Sequence, residues 1–311
     1  MKRRLVLISA AAAFAALSAP ALAQPKPVTI GVSLASDVNP FYIAMKSGIE
    51  ARAKELGANV VFVTANEVVA QQVDGIQDLV ARKVDGILVS PIDAVAVGAA
   101  YDAAGKAGIP VISIARHANS ANESAYVSMD EKKIGGEIAA WIAQSIGGKG
   151  EIAMVAGPSG AATFRNLAEG FDTVIKTSPD IKVVYRKDVA LTREMGLKQA
   201  EDILVAHPDV KAIYCANDEI ALGASQAIAA AGKGSQVVVT GLNGIPPAMR
   251  AVKAGTVGLT VNLNPVAWGR LGVDTMVEYL KGNKPTGDVA VKHVLVDAKN
   301  VDQFLPPPAV K

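Results

Sequence analysis

The sequence predicts an α/β protein of two doubly wound lobes, each a parallel sheet covered by helices. Three observations predict it. Short apolar runs alternate with helical stripes in two successive series of the same rhythm. The connections between runs are long enough for parallel crossovers, which usually carry a helix. The runs end on polar or aromatic residues, and the carboxyl edge of an open α/β sheet is where ligands bind.

The first corner of this kind sets the pattern. Residues 28–34 alternate apolar and small side chains, as a buried strand does, and the run breaks at Ala35-Ser36-Asp37. Asn39 is a favoured N-cap, and Pro40 suits a first turn because its missing N–H has no intrahelical partner. Ile43, Ala44, Ser47 and Gly48 then give a helical stripe. Asn39, Phe41 and Tyr42 place an amide and two rings at the corner. Strands follow at 59–64, 84–89 and 111–114, with helices at 69–83 and from Asp93, as N-cap, through Lys106. The third strand ends at Ser90-Pro91 and the fourth at Ala115-Arg116-His117. A polar loop, 119–123, precedes a short extended segment at 126–129, and Asp130 can cap a helix over 131–146.

The rhythm restarts after Gly147-Gly148-Lys149-Gly150. Strands are expected at 151–156, 181–185, 211–215 and 236–240. Helices are expected at 161–176, 192–206, 219–231 and 246–253, the third capped by Asn217 or Asp218. The remainder holds a strand at 257–263, a helix at 266–280 and an extended piece at 289–296. That is too little for a third domain, so the chain is expected to cross back between the lobes.

The chain has 311 residues, and the first 23 read as a segment outside the fold. Lys2, Arg3 and Arg4 form a basic start, 5–17 is apolar, and Ala21-Leu22-Ala23 is a small-x-small site. This is the pattern of a secretory signal peptide cleaved after Ala23. Its apolar run is shorter than the roughly 20 residues that span a bilayer. No Cys follows the site, so no lipid anchor is expected, and the periplasm is the expected compartment. The 288 residues after Ala23 suit two domains better than one. The formal charge is +2, or −1 without Lys2, Arg3 and Arg4, which gives no electrostatic case for nucleic acid or anionic membrane. The single cysteine, Cys215, cannot form an intrachain disulfide and reads as a small buried hydrophobe. Abundant Gly and Ala fit tight packing of helices on sheets.

Several short motifs stand in a specific order: Asn39-Pro40-Phe41-Tyr42, Val80-Ala81-Arg82-Lys83-Val84-Asp85-Gly86-Ile87, Gly108-Ile109-Pro110-Val111-Ile112, Glu169-Gly170-Phe171, His207-Pro208-Asp209-Val210, and Asn217-Asp218-Glu219-Ile220-Ala221-Leu222-Gly223. In these the chain resembles the periplasmic sugar-binding proteins of ABC transporters, the ribose-binding group in particular, over essentially its whole length after Ala23. The resemblance implies a type I periplasmic-binding-protein fold with a three-crossing hinge near Met129-Asp130, Leu263-Asn264 and Lys292-His293. The lobes would comprise 24–129 plus 264–292 and 130–263 plus 293–311. A sugar or polyol would lie between them. The implied partners are an inner-membrane ABC permease and, as a further candidate, a chemoreceptor. No cofactor or metal is implied.

Carried over residue by residue, the ligand positions fall at Asn39, Phe41, Tyr42, Ser90, Arg116, Arg165, Leu191, Asn217, Asn243 and Leu263. Rings suit the C–H faces of a sugar, and amides and guanidinium groups suit its hydroxyl rim. Two acidic positions of the family become Ala115 and Asn243, while both arginines stay. A buried charge without a partner costs several kcal/mol. Another carboxylate must therefore move in, or the site stays wet, or the ligand carries negative charge. The expected ligand is a monosaccharide or related polyol other than ribose, with a sugar acid as the alternative.

Trp141 and Trp268 read as packing residues, Asp130 and Asp218 as helix caps. His117, His207 and His293 show no metal-ligand spacing. An enzyme is not expected: no dinucleotide fingerprint, Walker A motif or nucleophile elbow is present. Gly157-Pro158-Ser159-Gly160 is a weak phosphate-cradle candidate, since Pro removes a donor and no Lys follows in place. Sugar-responsive repressors share the two-lobe core but carry a helix-turn-helix where this chain has its leader.

Overall fold

A computed structural model describes residues 26–305, so the expected leader and cleavage site lie outside the described residues. The first series runs β1 (Thr29–Ser33), α1 (Pro40–Leu56), β2 (Asn59–Val63), α2 (Val69–Ala81), β3 (Gly86–Val89), α3 (Gly98–Lys106), β4 (Val111–Ile114) and β5 (Glu123–Ser128). The second runs α4 (Glu131–Ser145), β6 (Gly150–Ala156), α5 (Ala162–Ile175), β7 (Ile181–Asp188), α6 (Arg193–Ala206), β8 (Val210–Cys215), α7 (Asp218–Ala230), β9 (Val238–Thr240), α8 (Pro246–Lys253) and β10 (Leu259–Asn262). The chain ends with α9 (Pro265–Leu280), β11 (Val289–Ala290), β12 (Val294–Asp297) and a 3₁₀ turn at Val301–Gln303.

These strands form two six-stranded sheets, ordered β11-β5-β4-β3-β1-β2 and β12-β10-β9-β8-β6-β7. All pairings are parallel except β12 against β10. The central strands β3 and β4 are buried at every position, because helices cover both faces. The expected parallel α/β architecture is therefore present, with one antiparallel edge.

The chain passes between the sheets after β5, after β10 and between β11 and β12. The first two passages lead straight into a helix cap. Asp130 accepts from the Lys133 N–H at 3.0 Å. Asn264, at φ 46, accepts from the Ala267 N–H at 3.2 Å. α9 then packs against α1 and beneath β3, β4 and β5. At the third passage His293 bonds Glu137 of α4 at 2.7 Å.

The extended piece at 289–296 is divided at the third passage, and its halves join different sheets. One local expectation needs correction. Asp93 does not cap α3, which starts at Gly98; its Oδ1 instead accepts from the Val95 and Ala96 N–H groups and closes a preceding turn.

Glycines do more than fit helices onto sheets. At three helix crossings each partner presents a Gly to the other's backbone. A Cβ on Gly135 would stand 2.0 Å from the Leu167 carbonyl oxygen, and one on Gly170 would stand 2.0 Å from that of Lys132. Gly196 and Gly223 do the same for α6 and α7, and Gly48 and Gly269 for α1 and α9. The helices meet backbone to backbone, as close as the chain allows.

Candidate ligand-binding cleft

The carboxyl ends of both sheets face each other across a cleft. At its first wall, Ser36 Oγ accepts from the Asn39 N–H at 3.1 Å, and Asn39 Oδ1 caps α1 by accepting from the Phe41 N–H at 3.0 Å. This turn aims the next two rings inward. Phe41 stands edge-on to Tyr42 at 5.2 Å and to Trp268 at 5.8 Å between centroids. Tyr42 is buried, which pushes its phenol pKa up and keeps it neutral.

β4 ends in a three-residue turn: the Arg116 N–H donates to the Ile114 carbonyl at 2.8 Å, with Ala115 at φ 64. This left-handed kink turns Arg116 into the cleft. Its guanidinium lies 5.7 Å from the Tyr42 ring centroid and 5.3 Å from that of Phe164 on the opposite lobe. Both NH1 and NH2 donate to Glu67, each at 3.1 Å. The side chains are 3% and 34% exposed respectively, so the cation is buried and the carboxylate half-exposed. Burial works against the charge on Arg116, but Tyr42 and Glu67 outweigh it and hold the group protonated.

From the second lobe, Asn217 Oδ1 caps α7 by accepting from the Ile220 N–H at 2.9 Å. Its Nδ2 makes only a long bond, 3.4 Å, to the Leu191 carbonyl. Asn243 enters from the loop after β9 with φ 128, a backbone conformation costing about 1–3 kcal/mol in a non-glycine residue. The inner slot brings together eight of the ten expected residues: Asn39, Phe41, Tyr42, Arg116, Leu191, Asn217, Asn243 and Leu263. Thr163, Phe164, Met129 and Trp268 complete much of the wall. Trp268 thus both packs and lines the slot, its Nε1–H donating to the Val127 carbonyl at 3.2 Å.

Two expected residues lie elsewhere. Ser90 sits behind the wall, where its Oγ bonds the Tyr42 hydroxyl at 3.0 Å and its carbonyl accepts from Gln72 at 2.9 Å. Arg165 is exposed and bonds the Ser159 carbonyl. The helix explains this: Thr163 and Phe164 face inward, and the next residue is turned about 100° away. Glu67 was not expected. It stands just past β2, at the same carboxyl edge as the other corners, and that position is its one sequence signal.

The inner slot, about 30 Å³, opens at Asn39 and Leu191 into a mouth of about 700 Å³ between the lobes. As it stands the slot has room for one or two waters, so a ligand must enter as the lobes part. They touch through Ala94 N–H to the Gly160 carbonyl at 3.1 Å and Thr163 Oγ1 to the Ala115 carbonyl at 3.3 Å. The arrangement can bind a small polar ligand, and Thr163 Oγ1 in its wall also donates to Glu131 Oε1 at 3.5 Å. Among the described residues, no group of three or more His, Cys, Asp or Glu is placed to hold a metal ion. Cys215 is buried, and burial pushes its thiol pKa up.

Asp218 is not the cap of α7. Fully buried, it braces the loop behind Asn243: Oδ1 accepts from Thr260 Oγ1 at 2.6 Å and Oδ2 from the Ile245 N–H at 2.8 Å. Burial pushes its carboxyl up to about 7. The unfolded value is about 3.9. The folded state thus holds the proton more tightly, and stability from this group is full below about pH 4 and lost as pH rises through about 7. Asp218→Asn, which mimics the protonated form, is expected to flatten the stability profile between those values. Urea melts of both proteins across that range check it; an unchanged slope would exclude Asp218 as the source.

Two facing sheets, three chain passages and a polar-aromatic slot define a two-lobed cleft protein that closes over a small ligand. The chain belongs to the periplasmic binding protein domain family, whose model matches residues 30–284. It is 34% identical over 285 residues to the ribose import binding protein RbsB of Escherichia coli (strain K12), covering 91% of this chain and 94% of that one. A solute-binding protein of an ABC transporter from Actinobacillus succinogenes 130z, solved with bound D-allose, superposes with a TM-score of 0.84 at 28% identity, over 89% of this chain and 99% of that one. The Caulobacter myo-inositol binding protein, solved with myo-inositol, gives 0.84 at 26% identity, over 89% and 95%.

Proposed function

We propose that the chain captures a monosaccharide or related polyol in the slot and hands it to an ABC permease of the inner membrane. The observation that carries this is the division of labour in the slot. Asn39 and Asn217, one from each lobe, spend their carbonyl oxygens on helix caps and keep Nδ2 donors for the cleft. The rings of Phe41, Tyr42 and Phe164 supply flat walls for C–H faces. A ligand touching both lobes favours the closed form by the contacts it makes only there. The ribose, allose and myo-inositol binders among its relatives support the same ligand class. The lobes are proposed as 24–129 plus 264–292 and 130–263 plus 293–311, with export and cleavage after Ala23. The intact mass of the protein recovered by osmotic shock tests the cleavage.

A melting-temperature screen against pentoses, hexoses, polyols and sugar acids tests the capture, because a ligand that binds only the native state raises the midpoint. Indifference to every neutral carbohydrate offered would overturn it. The two caps give a sharper test. Asp caps a helix about as well as Asn but has no amide donor. Asn39→Asp, at a half-buried cap, is expected to leave stability within about 0.5 kcal/mol and to weaken binding about tenfold, roughly 1.4 kcal/mol. Asn217 is 2% exposed, so Asn217→Asp is expected to weaken binding similarly and also to cost roughly 1–3 kcal/mol of stability by burying a carboxylate. Calorimetry beside urea melts separates the two effects.

A further inference from the structure

The geometry points to Glu67 as the residue that sets the charge class of the ligand: by clamping Arg116 it closes the cleft to sugar acids, and removing its carboxylate opens it. This rests on the capture reading above. Two free arginines would have made an anionic ligand attractive. The structure leaves neither free, because Arg165 faces solvent and Arg116 has both terminal nitrogens committed to one carboxylate.

The clamp is built into the fold. Glu67 and Asn66 both adopt left-handed backbone, φ 57 and φ 47, which Glu disfavours. The turn is held on both sides: the Glu67 N–H donates to the Ala35 carbonyl at 2.6 Å, and Asn66 Oδ1 accepts from the Asp37 N–H at 3.2 Å. The turn fixes where the Glu67 side chain starts, and the two bonds to Arg116 hold its carboxylate in place. The fork also matches what a ligand carboxylate would need, since guanidinium binds carboxylates two bonds at a time. Glu67 already occupies the geometry.

The approach is charged the same way. Glu67, Asp188 and Glu219 line the mouth, and no Lys, Arg or His does so among the described residues. Glu219 is paired with Arg193 at 3.1 Å and Glu67 with Arg116, so an incoming anion meets Asp188 and two paired carboxylates first and a neutralised guanidinium behind them. A neutral polyol meets no such barrier.

Calorimetric titration of the mature protein with matched sets tests this: ribose, ribitol and ribonate, then galactose, galactitol and galacturonate. The wild type is expected to bind at least one neutral compound and to reject the acids. Glu67→Gln is expected to gain at least tenfold in affinity for an acid. Glu67→Asp, which keeps the charge, is expected to go on rejecting acids, an outcome that a role in shape alone does not require. Should Glu67→Gln be too unstable to titrate, Glu67→Gly removes the carboxylate while suiting the left-handed turn. If the variants bind the neutral ligand yet still refuse every acid, the assignment of Glu67 fails and capture stands. If the wild type prefers an acid to its neutral counterpart, the assignment fails as well. If no compound binds any of the proteins, the capture reading itself fails.

Discussion

Glu67→Ala is expected to destabilise the protein by roughly 2–4 kcal/mol, and Arg116→Met by less. The asymmetry follows from burial. Arg116 is 3% exposed and Glu67 34%, so deleting the carboxylate strands a cation between two rings, while deleting the guanidinium leaves an anion that water can reach through the mouth. Stranding a buried charge costs about 3–5 kcal/mol when no water reaches it. Relief of the left-handed backbone does not offset this, since alanine at φ 57 is no better placed than glutamate. Glu67→Gly gains that relief and should lie between wild type and Glu67→Ala. Binding is expected to invert the order: Arg116→Met loses the one cation that lines the slot among the described residues, with both ring contacts, and its affinity should drop at least about a hundredfold, roughly 2.7 kcal/mol. Urea melts and titrations on the three variants check both orders. A larger stability loss in Arg116→Met than in Glu67→Ala would overturn the argument.

How far the cleft could be read from sequence depends on what held each residue there. Asn39 was legible because a cap is a local device: the amide, the following helical stripe and the preceding strand all lie within a few residues. Asn217 stood only as one of two cap candidates beside Asp218, and its place in the cleft came through family resemblance. Leu191 and Leu263 carry no chemistry that would mark them and came only through family resemblance. Arg165 failed on helical phase, since one residue is about 100° and Thr163-Phe164 hold the inward positions. Glu67 could not be read because its role depends on two left-handed residues and on a partner 49 positions away. The break near Lys292-His293 came only through family resemblance, for a related reason. Residues 289–296 suit a strand throughout, and only the passage between sheets, with His293 held by Glu137, divides them.

Gly135→Ala, and separately Gly170→Ala, are expected to cost roughly 3 kcal/mol each, at the upper end for overpacking. Most small-to-large changes are softened when a neighbouring side chain rotates away. Here the obstacle is backbone: the new Cβ would lie 2.0 Å from a carbonyl oxygen of the facing helix, and that oxygen is already bonded within its own helix. Relief requires α4 and α5 to move apart by more than an ångström, which opens the packing along the whole contact. The two glycines face each other's helices across one crossing, so separation forced by the first alanine makes room for the second. The double variant should therefore cost clearly less than the sum of the singles. Gly98→Ala provides the contrast. Its Cβ would meet nothing within 4 Å, and the change should be neutral or stabilising by roughly 0.5 kcal/mol. Urea melts of the four variants decide it. Additive losses at Gly135 and Gly170 would mean that the two contacts yield independently, and the rigid backbone-to-backbone seam inferred for α4 and α5 would have to be abandoned.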